Sequence, residues 1–170
     1  MSERSYGPIS LPDLRRLGVI ARQDREALFL RKPKLGHLYA DRVFAVALCQ
    51  GAALHYLDRK TGVKDLDVWT FYQADDKRPF PYRRRGVADF GDSKFGKTDG
   101  SLEFIGRRVD LLGRSILGAD YSDSVAVLRD YLAGGKTESA RLLAQKAAIL
   151  IEPEPLLGTI VWPCTSPSTR

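Results

Sequence analysis

Two apolar segments on either side of a glycine and a short helix set the fold of this chain. Residues 43–49 form a continuous apolar run, which favours a buried strand, although its alanines leave a helix open. Gly51 interrupts the pattern, and residues 52–57 then have the composition of a helix. Residues 65–72 are rich in β-branched and aromatic side chains, so they predict a second strand. The order strand, helix, strand indicates an α/β (α+β) fold.

The N-terminal part of the chain predicts two helices. Ser10, followed by a proline and by Asp13, is typical of a helix start. We expect this first helix to end at Gly18. A second helix is expected over residues 20–31, because its apolar side chains repeat on one side and Pro33 then stops it.

The second half of the chain predicts a long loop and four further elements. Residues 73–100 are polar and contain several prolines and glycines, which indicates a basic loop. Beyond this loop, the pattern predicts a strand over residues 107–116, helices over 122–133 (capped by Ser122) and 137–151, and a strand over 159–162.

The composition is that of an ordinary globular protein, with 170 residues, 44% hydrophobic and 28% charged. We expect one domain over residues 1–163. Its parts are N-terminal helices in 1–36, a core in 37–118, C-terminal helices in 119–152 and a loose tail in 164–170. The 2 cysteines are too few for a disulfide framework and the start lacks an apolar signal segment, so we expect a cytoplasmic protein with no membrane attachment.

Three aspartates are the main candidates for chemistry. Asp65 and Asp67 are two residues apart on a predicted strand, so their side chains point to the same face, about 7 Å apart. Converging carboxylates repel each other unless a cation lies between them, and Mg²⁺ prefers such oxygen ligands. Asp110 lies inside a later apolar strand, where a buried carboxylate needs a partner. If the two strands are neighbours, all three acids meet.

Each of these features alone has an ordinary structural explanation. An acidic pair at a strand end is often solvated, and a lone glycine is often a turn. Asp110 alone is explained by a salt bridge, for which the sequence offers Arg107, Arg108 and Arg114. Their order along the chain is what points to a site.

A basic segment follows the second predicted strand. It contains Lys77, Arg78, Arg83, Arg84 and Arg85, with Phe80 and Tyr82 among them. The net charge of +6 favours polyanionic partners. The segment is either a solvated loop or a contact surface for RNA, DNA or an acidic partner, in which the two aromatic rings would stack on bases.

These parts together resemble the nucleotidyltransferase superfamily, which includes DNA polymerase β. That family has an apolar strand, a glycine-led helix start, an acidic-x-acidic strand and a third acid on a later strand. Here the parts are residues 43–49, residues 51–54, Asp65 with Asp67, and Asp110. Residues 50–54 are nearest to the Gly-Gly-Thr-Ala-Leu form of AbiEii-type toxins and their relatives, with Gln and Ala on either side of a single glycine.

The resemblance implies a mixed nucleotidyltransferase-type sheet with helices packed on it and helical segments at both ends. It implies transfer of a nucleoside monophosphate from a nucleoside triphosphate to a hydroxyl or phosphate acceptor, dependent on Mg²⁺ or, in its place, Mn²⁺. Asp65, Asp67 and Asp110 would be the catalytic, metal-binding acids. The nucleotide phosphates would be bound by Gly51, Ala52 and Lys64. The basic segment favours RNA as the acceptor, and an antitoxin-like protein is a further expected partner.

A second hypothesis keeps the same fold without catalysis. In it, the chain is a degenerate module that binds nucleic acid or a protein partner through the basic segment. The complete set of three acids favours the enzyme, whereas the single glycine at position 51 favours the binding module.

Overall fold

A six-stranded sheet is the centre of the computed structural model, which describes residues 4–80, 86–100 and 103–164. The strands are β1 (Val43–Cys49), β2 (Leu66–Gln73), β3 (Gly86–Asp89), β4 (Arg108–Ile116), β5 (Ala148–Glu152) and β6 (Ile160–Trp162). They lie in the order β3–β4–β2–β1–β5–β6. Strands β2 and β4 are parallel, and the other neighbouring pairs are antiparallel. The sheet is therefore mixed, and the expected α+β class is confirmed.

Helices cover both faces of this sheet. They are α1 (Leu11–Arg31), α2 (Pro33–Tyr39), α3 (Gln50–Asp58), α4 (Ser124–Gly134) and α5 (Glu138–Leu143). Helices α1 and α3 share one buried apolar cluster with alternate strand residues such as Val68 and Leu111. Helices α4 and α5 share another with the intervening residues, such as Trp69 and Leu112. None of the helices in the described residues is long and apolar enough to cross a membrane.

The N-terminal helix is longer than the sequence predicts. It begins as expected, because Asp13 Oδ2 accepts a hydrogen bond from the Ser10 amide at 2.8 Å and Ser10 Oγ accepts one from the Asp13 amide. The predicted end at Gly18 is wrong, since α1 continues to Arg31. Gly18 lies inside the helix where it crosses the sheet, and a Cβ at that position would be 2.9 Å from Ile151 Cγ2. The glycine allows close packing of the helix and does not end it.

The predicted C-terminal helix over residues 137–151 is also wrong in its second half. Helix α5 begins within one residue of its predicted start, with Thr137 as its N-cap, but it ends at Leu143, and Ala148–Glu152 forms strand β5. This apolar segment pairs with β1 on one side and β6 on the other, so its backbone amides are satisfied by the sheet. Helix α4 also starts later than predicted, because Asp123 and not Ser122 is its N-cap.

The predicted loop over residues 73–100 contains structure of its own. Strand β3 lies within it and pairs with β4. Phe80, expected to be available for stacking on bases, is instead buried and stacks on Tyr72 with ring centroids 4.2 Å apart. Tyr82 lies outside the described residues, as does the tail beyond position 164.

Candidate active site

Asp67 and Asp110 lie in one row that crosses the sheet. Asp67 on β2 is the register partner of Asp110 on β4, and Cys49 at the end of β1 is the partner of Asp67 on its other side. Register partners point to the same face, which here is the face that carries Trp69 and Leu112 and packs against α4 and α5. The two carboxylates that the sequence predicts to meet are therefore neighbours.

Arg108 is bonded to one of these carboxylates. Its Nε donates a hydrogen bond to Asp110 Oδ1 at 2.8 Å, and Asp110 is only 2% exposed. The pKa of Arg108 is raised, first by this hydrogen bond and then by the negative charges of Asp110, Asp65 and Asp67, although burial acts against the shift. All three predicted acids therefore stabilise the same guanidinium cation.

Asp65 and Asp67 are both half-buried, with Asp65 immediately before the first residue of β2. Carboxylate oxygens are suitable ligands for Mg²⁺ or Mn²⁺, so the residue types fit the expected metal. Within residues 4–80, 86–100 and 103–164, however, no three His, Cys, Asp or Glu side chains are arranged as a group that could hold a metal ion. In this arrangement one oxygen of Asp110, Oδ1, is already bonded to the Arg108 guanidinium.

The start of α3 lies beside this row of residues. Strand β1 ends at Cys49, and Gln50 turns the chain into the helix with a φ of 60°, its amide donating to the Ala147 carbonyl at 3.0 Å. Its N-cap, Cys49, makes no side-chain hydrogen bond to this helix N-terminus. Gly51 is half-buried in the first turn, and Ala52 is buried. Because the Ala52 side chain is apolar and buried, only the backbone amide of this residue is suited to bind a ligand.

Lys146 is a candidate residue that the sequence does not reveal. Its Nζ lies 3.9 Å from the position that a Cβ on Gly51 would take, so its charge is close to the first turn of α3. The residue lies between α5 and β5, in a region that the sequence predicts as continuous helix. Its proximity to Gly51 depends on the chain leaving α5 and turning back into the sheet, and the local pattern does not signal this.

The buried thiol of Cys49 is not a candidate nucleophile. Burial raises the pKa of Cys49 well above its usual value, and the charge of Asp67 raises it further. The thiol therefore stays protonated at neutral pH, and Cys49 contributes to the apolar cluster under α4 and α5.

Lys64 is exposed just before the acidic pair. Its carbonyl accepts a hydrogen bond from Arg107 Nη1 at 3.2 Å, and Arg107 Nε also donates to the Phe95 carbonyl at 3.0 Å. Arg107 is 3% exposed and precedes β4, so it holds the turn that leads into Asp65. His55 on α3 is buried with Nε2 3.0 Å from the Gly7 carbonyl, so it contributes to packing and is not exposed to a ligand.

The described part of the basic segment lies at the far end of β2 from the acids. Lys77 and Arg78 are exposed, and their amides donate to Asp75 Oδ2 at 3.1 Å and 3.0 Å. They follow the last residue of β2, whereas Asp67 is near its first, a distance of about 20 Å along the strand. The other three predicted cations, Arg83, Arg84 and Arg85, lie outside the described residues.

Comparison with known proteins identifies no relative: no family model, curated protein or solved structure matches this chain. A function for this protein therefore has to be inferred from the chemistry and the geometry of its own residues.

Proposed function

We propose that this protein is a nucleotidyltransferase-like enzyme, which transfers a nucleoside monophosphate from a nucleoside triphosphate to a hydroxyl or phosphate acceptor. The observation that carries the proposal is the register pairing of Asp67 with Asp110, one strand away from the point where β1 runs into α3. This arrangement brings two carboxylates, a helix N-terminus and the Lys146 ammonium to one edge of the sheet.

The roles of the residues follow from their chemistry. Asp65, Asp67 and Asp110 would hold a divalent cation, which when bound neutralises charge on the phosphates during in-line displacement. The backbone amides of Gly51 and Ala52 would bind phosphate oxygens, because the partial positive charge at a helix N-terminus favours an anion. Lys146, whose ammonium is close to Gly51, and Lys64, just before the acidic pair, would add full positive charges.

Arg108 has a specific part in this proposal. A guanidinium bonded to Asp110 offsets part of the negative charge of the three acids when no metal ion is bound. Entry of a divalent cation would then displace the guanidinium from Asp110. Once displaced, the Arg108 side chain would be free to bind a phosphate oxygen, since a guanidinium pairs well with phosphate.

The same contact also favours a second candidate function. If Arg108 permanently replaces the metal, the chain is a catalytically degenerate module of the same fold that binds nucleic acid or a protein partner. The two candidates differ in one measurable property, which is whether a nucleoside triphosphate binds in a divalent-cation-dependent way.

Thermal unfolding with each nucleoside triphosphate, with and without Mg²⁺, tests the proposal directly. A ligand at about 100 times its dissociation constant adds about 2.7 kcal/mol to the free energy of unfolding, which raises Tm by several degrees in a domain of this size. We expect such a shift in the wild type only when nucleotide and Mg²⁺ are both present. Asp67→Asn should lose the shift while keeping its own Tm without ligand close to that of the wild type.

Asp130→Asn, which removes an exposed carboxylate on α4, is the matched control and should respond like the wild type. If no nucleotide shifts Tm, or if Asp67→Asn responds like the wild type, the enzyme proposal fails. In the first of these cases the degenerate binding module becomes the better account.

A further inference from the structure

A cationic groove lies between α2 and the chain that follows β2. Its volume is about 590 Å³, and it is lined by Pro33, Lys34, His37, Leu38, Asp75, Lys77 and Arg78. We call it the α2 groove. The sequence points to Lys77 and Arg78 but not to Lys34 or His37, which come next to them only through the packing of α2 against the end of β2.

The charge of the α2 groove is predominantly positive. Lys34, Lys77 and Arg78 are all exposed there. The single carboxylate in the lining, Asp75, pairs with Arg42 Nη2 at 3.3 Å and accepts the amides of Lys77 and Arg78. Since its charge is compensated by Arg42 and by these amides, the three cations of the groove remain available to an anionic ligand.

The walls of the groove are held in place before any ligand binds. The Tyr39 hydroxyl donates to the Arg78 carbonyl and accepts a hydrogen bond from the Asp75 amide. Tyr39 is fully buried, and its ring packs edge-on against Phe80 at 5.2 Å. The turn that carries Lys77 and Arg78 is therefore fixed to the core, which lowers the entropy lost when a ligand binds.

A second, largely apolar cavity adjoins the groove. It has a volume of about 740 Å³ and shares Pro33 and His37 with the α2 groove. Phe29 and Leu30 form its apolar wall, and the carboxylates of Glu26 and Asp41 also line it. Leu30 is 83% exposed. His37 thus stands between a cationic surface and an apolar one.

We infer that the α2 groove and this apolar cavity together bind a single-stranded nucleic acid. The phosphates lie against Lys34, Lys77 and Arg78, and an unpaired base enters the apolar cavity, where it contacts His37 and Leu30. A single strand offers both parts, because its bases are free to leave the stack, whereas a duplex keeps its bases paired. An acidic peptide also matches the cations, but the carboxylates of Glu26 and Asp41 in the second cavity repel acidic side chains and not an uncharged base. This inference does not rest on the proposed transfer chemistry.

Fluorescence anisotropy with a labelled ten-nucleotide uridine RNA tests the inference at several salt concentrations. The double variant Lys34→Ala/Lys77→Ala should reduce the slope of log K against log salt by about 0.7 for each phosphate that the two lysines neutralise. His37→Ala and Leu30→Ala should each weaken RNA binding by up to about tenfold, because each removes a contact to the unpaired base. The salt slope should stay unchanged in both variants. Residues 81–85 stay as they are in every variant, so their arginines contribute equally throughout.

Lys136→Ala, which removes an exposed lysine before α5, is the control for overall charge and should keep the wild-type slope. The same decamer as DNA distinguishes RNA from single strands in general, and either result agrees with the inference. Equal binding of the duplex form, or of poly-glutamate at matched charge, would overturn it. The inference would also be overturned if the salt slope fell as much in Lys136→Ala as in Lys34→Ala/Lys77→Ala. The same holds if all the groove variants bound the RNA as tightly as the wild type. The test uses neither Mg²⁺ nor a nucleoside triphosphate, so its failure is independent of the proposed enzyme.

Discussion

Asp67 and Asp110 are register partners on two parallel strands, and the guanidinium of Arg108 is bonded to the second of them. Adjacent carboxylates on one face repel each other, so a nearby cation stabilises the pair. In this structure that cation comes from the chain itself. A divalent cation at Asp110 Oδ1 would compete with Arg108 for that oxygen, because the two positive charges repel each other.

Arg108→Gln is the variant that measures this competition. Without metal, we expect it to lower the free energy of unfolding by about 2 kcal/mol, because the buried carboxylate loses a charge-assisted hydrogen bond. With Mg²⁺ or Mn²⁺ present, we expect a larger rise in Tm than in the wild type, since the cation no longer has to displace the guanidinium. Thermal unfolding over a metal titration measures both effects.

Arg114→Gln is the matched control for this experiment. Arg114 is half-buried on the same strand and face, but its guanidinium lies over the Tyr131 ring at 5.6 Å and pairs with no carboxylate among the residues that the structure describes. It should leave the metal response unchanged. A metal response in Arg108→Gln no larger than in the wild type would mean that Arg108 does not compete with a cation.

Lys146→Ala tests the proposed phosphate contact at the start of α3. This prediction rests on the proposed function. Removing one ammonium group that binds a triphosphate should weaken nucleotide binding by about tenfold, or about 1.4 kcal/mol. Stability without ligand should change little, because Lys146 is exposed. Titration calorimetry with a non-hydrolysable nucleoside triphosphate measures the affinity, with Lys136→Ala as the exposed-lysine control. Equal affinities in the two variants would remove Lys146 from the site.

The strands around the candidate site can be predicted from the sequence because their patterns are strong. The apolar run before Gly51, the β-branched and aromatic run after Asp65, and the apolar run around Asp110 all form strands within one or two residues of the predicted bounds. The pairing of Asp67 with Asp110 is conditional on the two strands being neighbours, and the sheet order fulfils that condition.

The elements that the sequence does not reveal depend on contacts between distant parts of the chain. Residues 144–152 continue the alanine- and leucine-rich pattern of α5, and only pairing with β1 and β6 makes the last five of them a strand. Phe80 is aromatic in a basic segment, which suggests a surface role, yet the neighbouring rings of Tyr39 and Tyr72 bury it. Lys146 likewise comes close to Gly51 only because the chain folds back into the sheet after α5. Local periodicity carries no information about such partners.

Gly18→Ala tests the close packing of α1 on the sheet. Alanine in a helix is favoured over glycine by about 1 kcal/mol, but overpacking a core costs about 1–3 kcal/mol. The new methyl group would be 2.9 Å from Ile151 Cγ2, in a side chain that is itself 2% exposed and has little room to move. We expect a net loss of about 1 kcal/mol in the free energy of unfolding, measured by urea denaturation.

Gly134→Ala is the control for Gly18→Ala. Gly134 is the last residue of α4, and the nearest atom to an added Cβ is Lys136 Cγ at 3.9 Å, so the new methyl group meets no clash. This variant should be as stable as the wild type or slightly more stable. If Gly18→Ala were also as stable as the wild type, the contact with Ile151 would not be the reason for a glycine at that position.

Asp58 should make the turn between α3 and β2 sensitive to acid. The Thr61 hydroxyl and the amides of Lys60 and Thr61 donate to its carboxylate, and these bonds lower the pKa of Asp58 to about 2. Because the folded pKa is below the unfolded value of about 3.9, the carboxylate stabilises the fold above about pH 4 and loses this effect as the pH falls through about 2. Urea denaturation between pH 6 and pH 2 should therefore show a shallower loss of stability in Asp58→Asn than in the wild type. Thr61→Val, which removes the largest of the three contributions, should give an intermediate slope, and equal slopes in all three proteins would contradict the assignment.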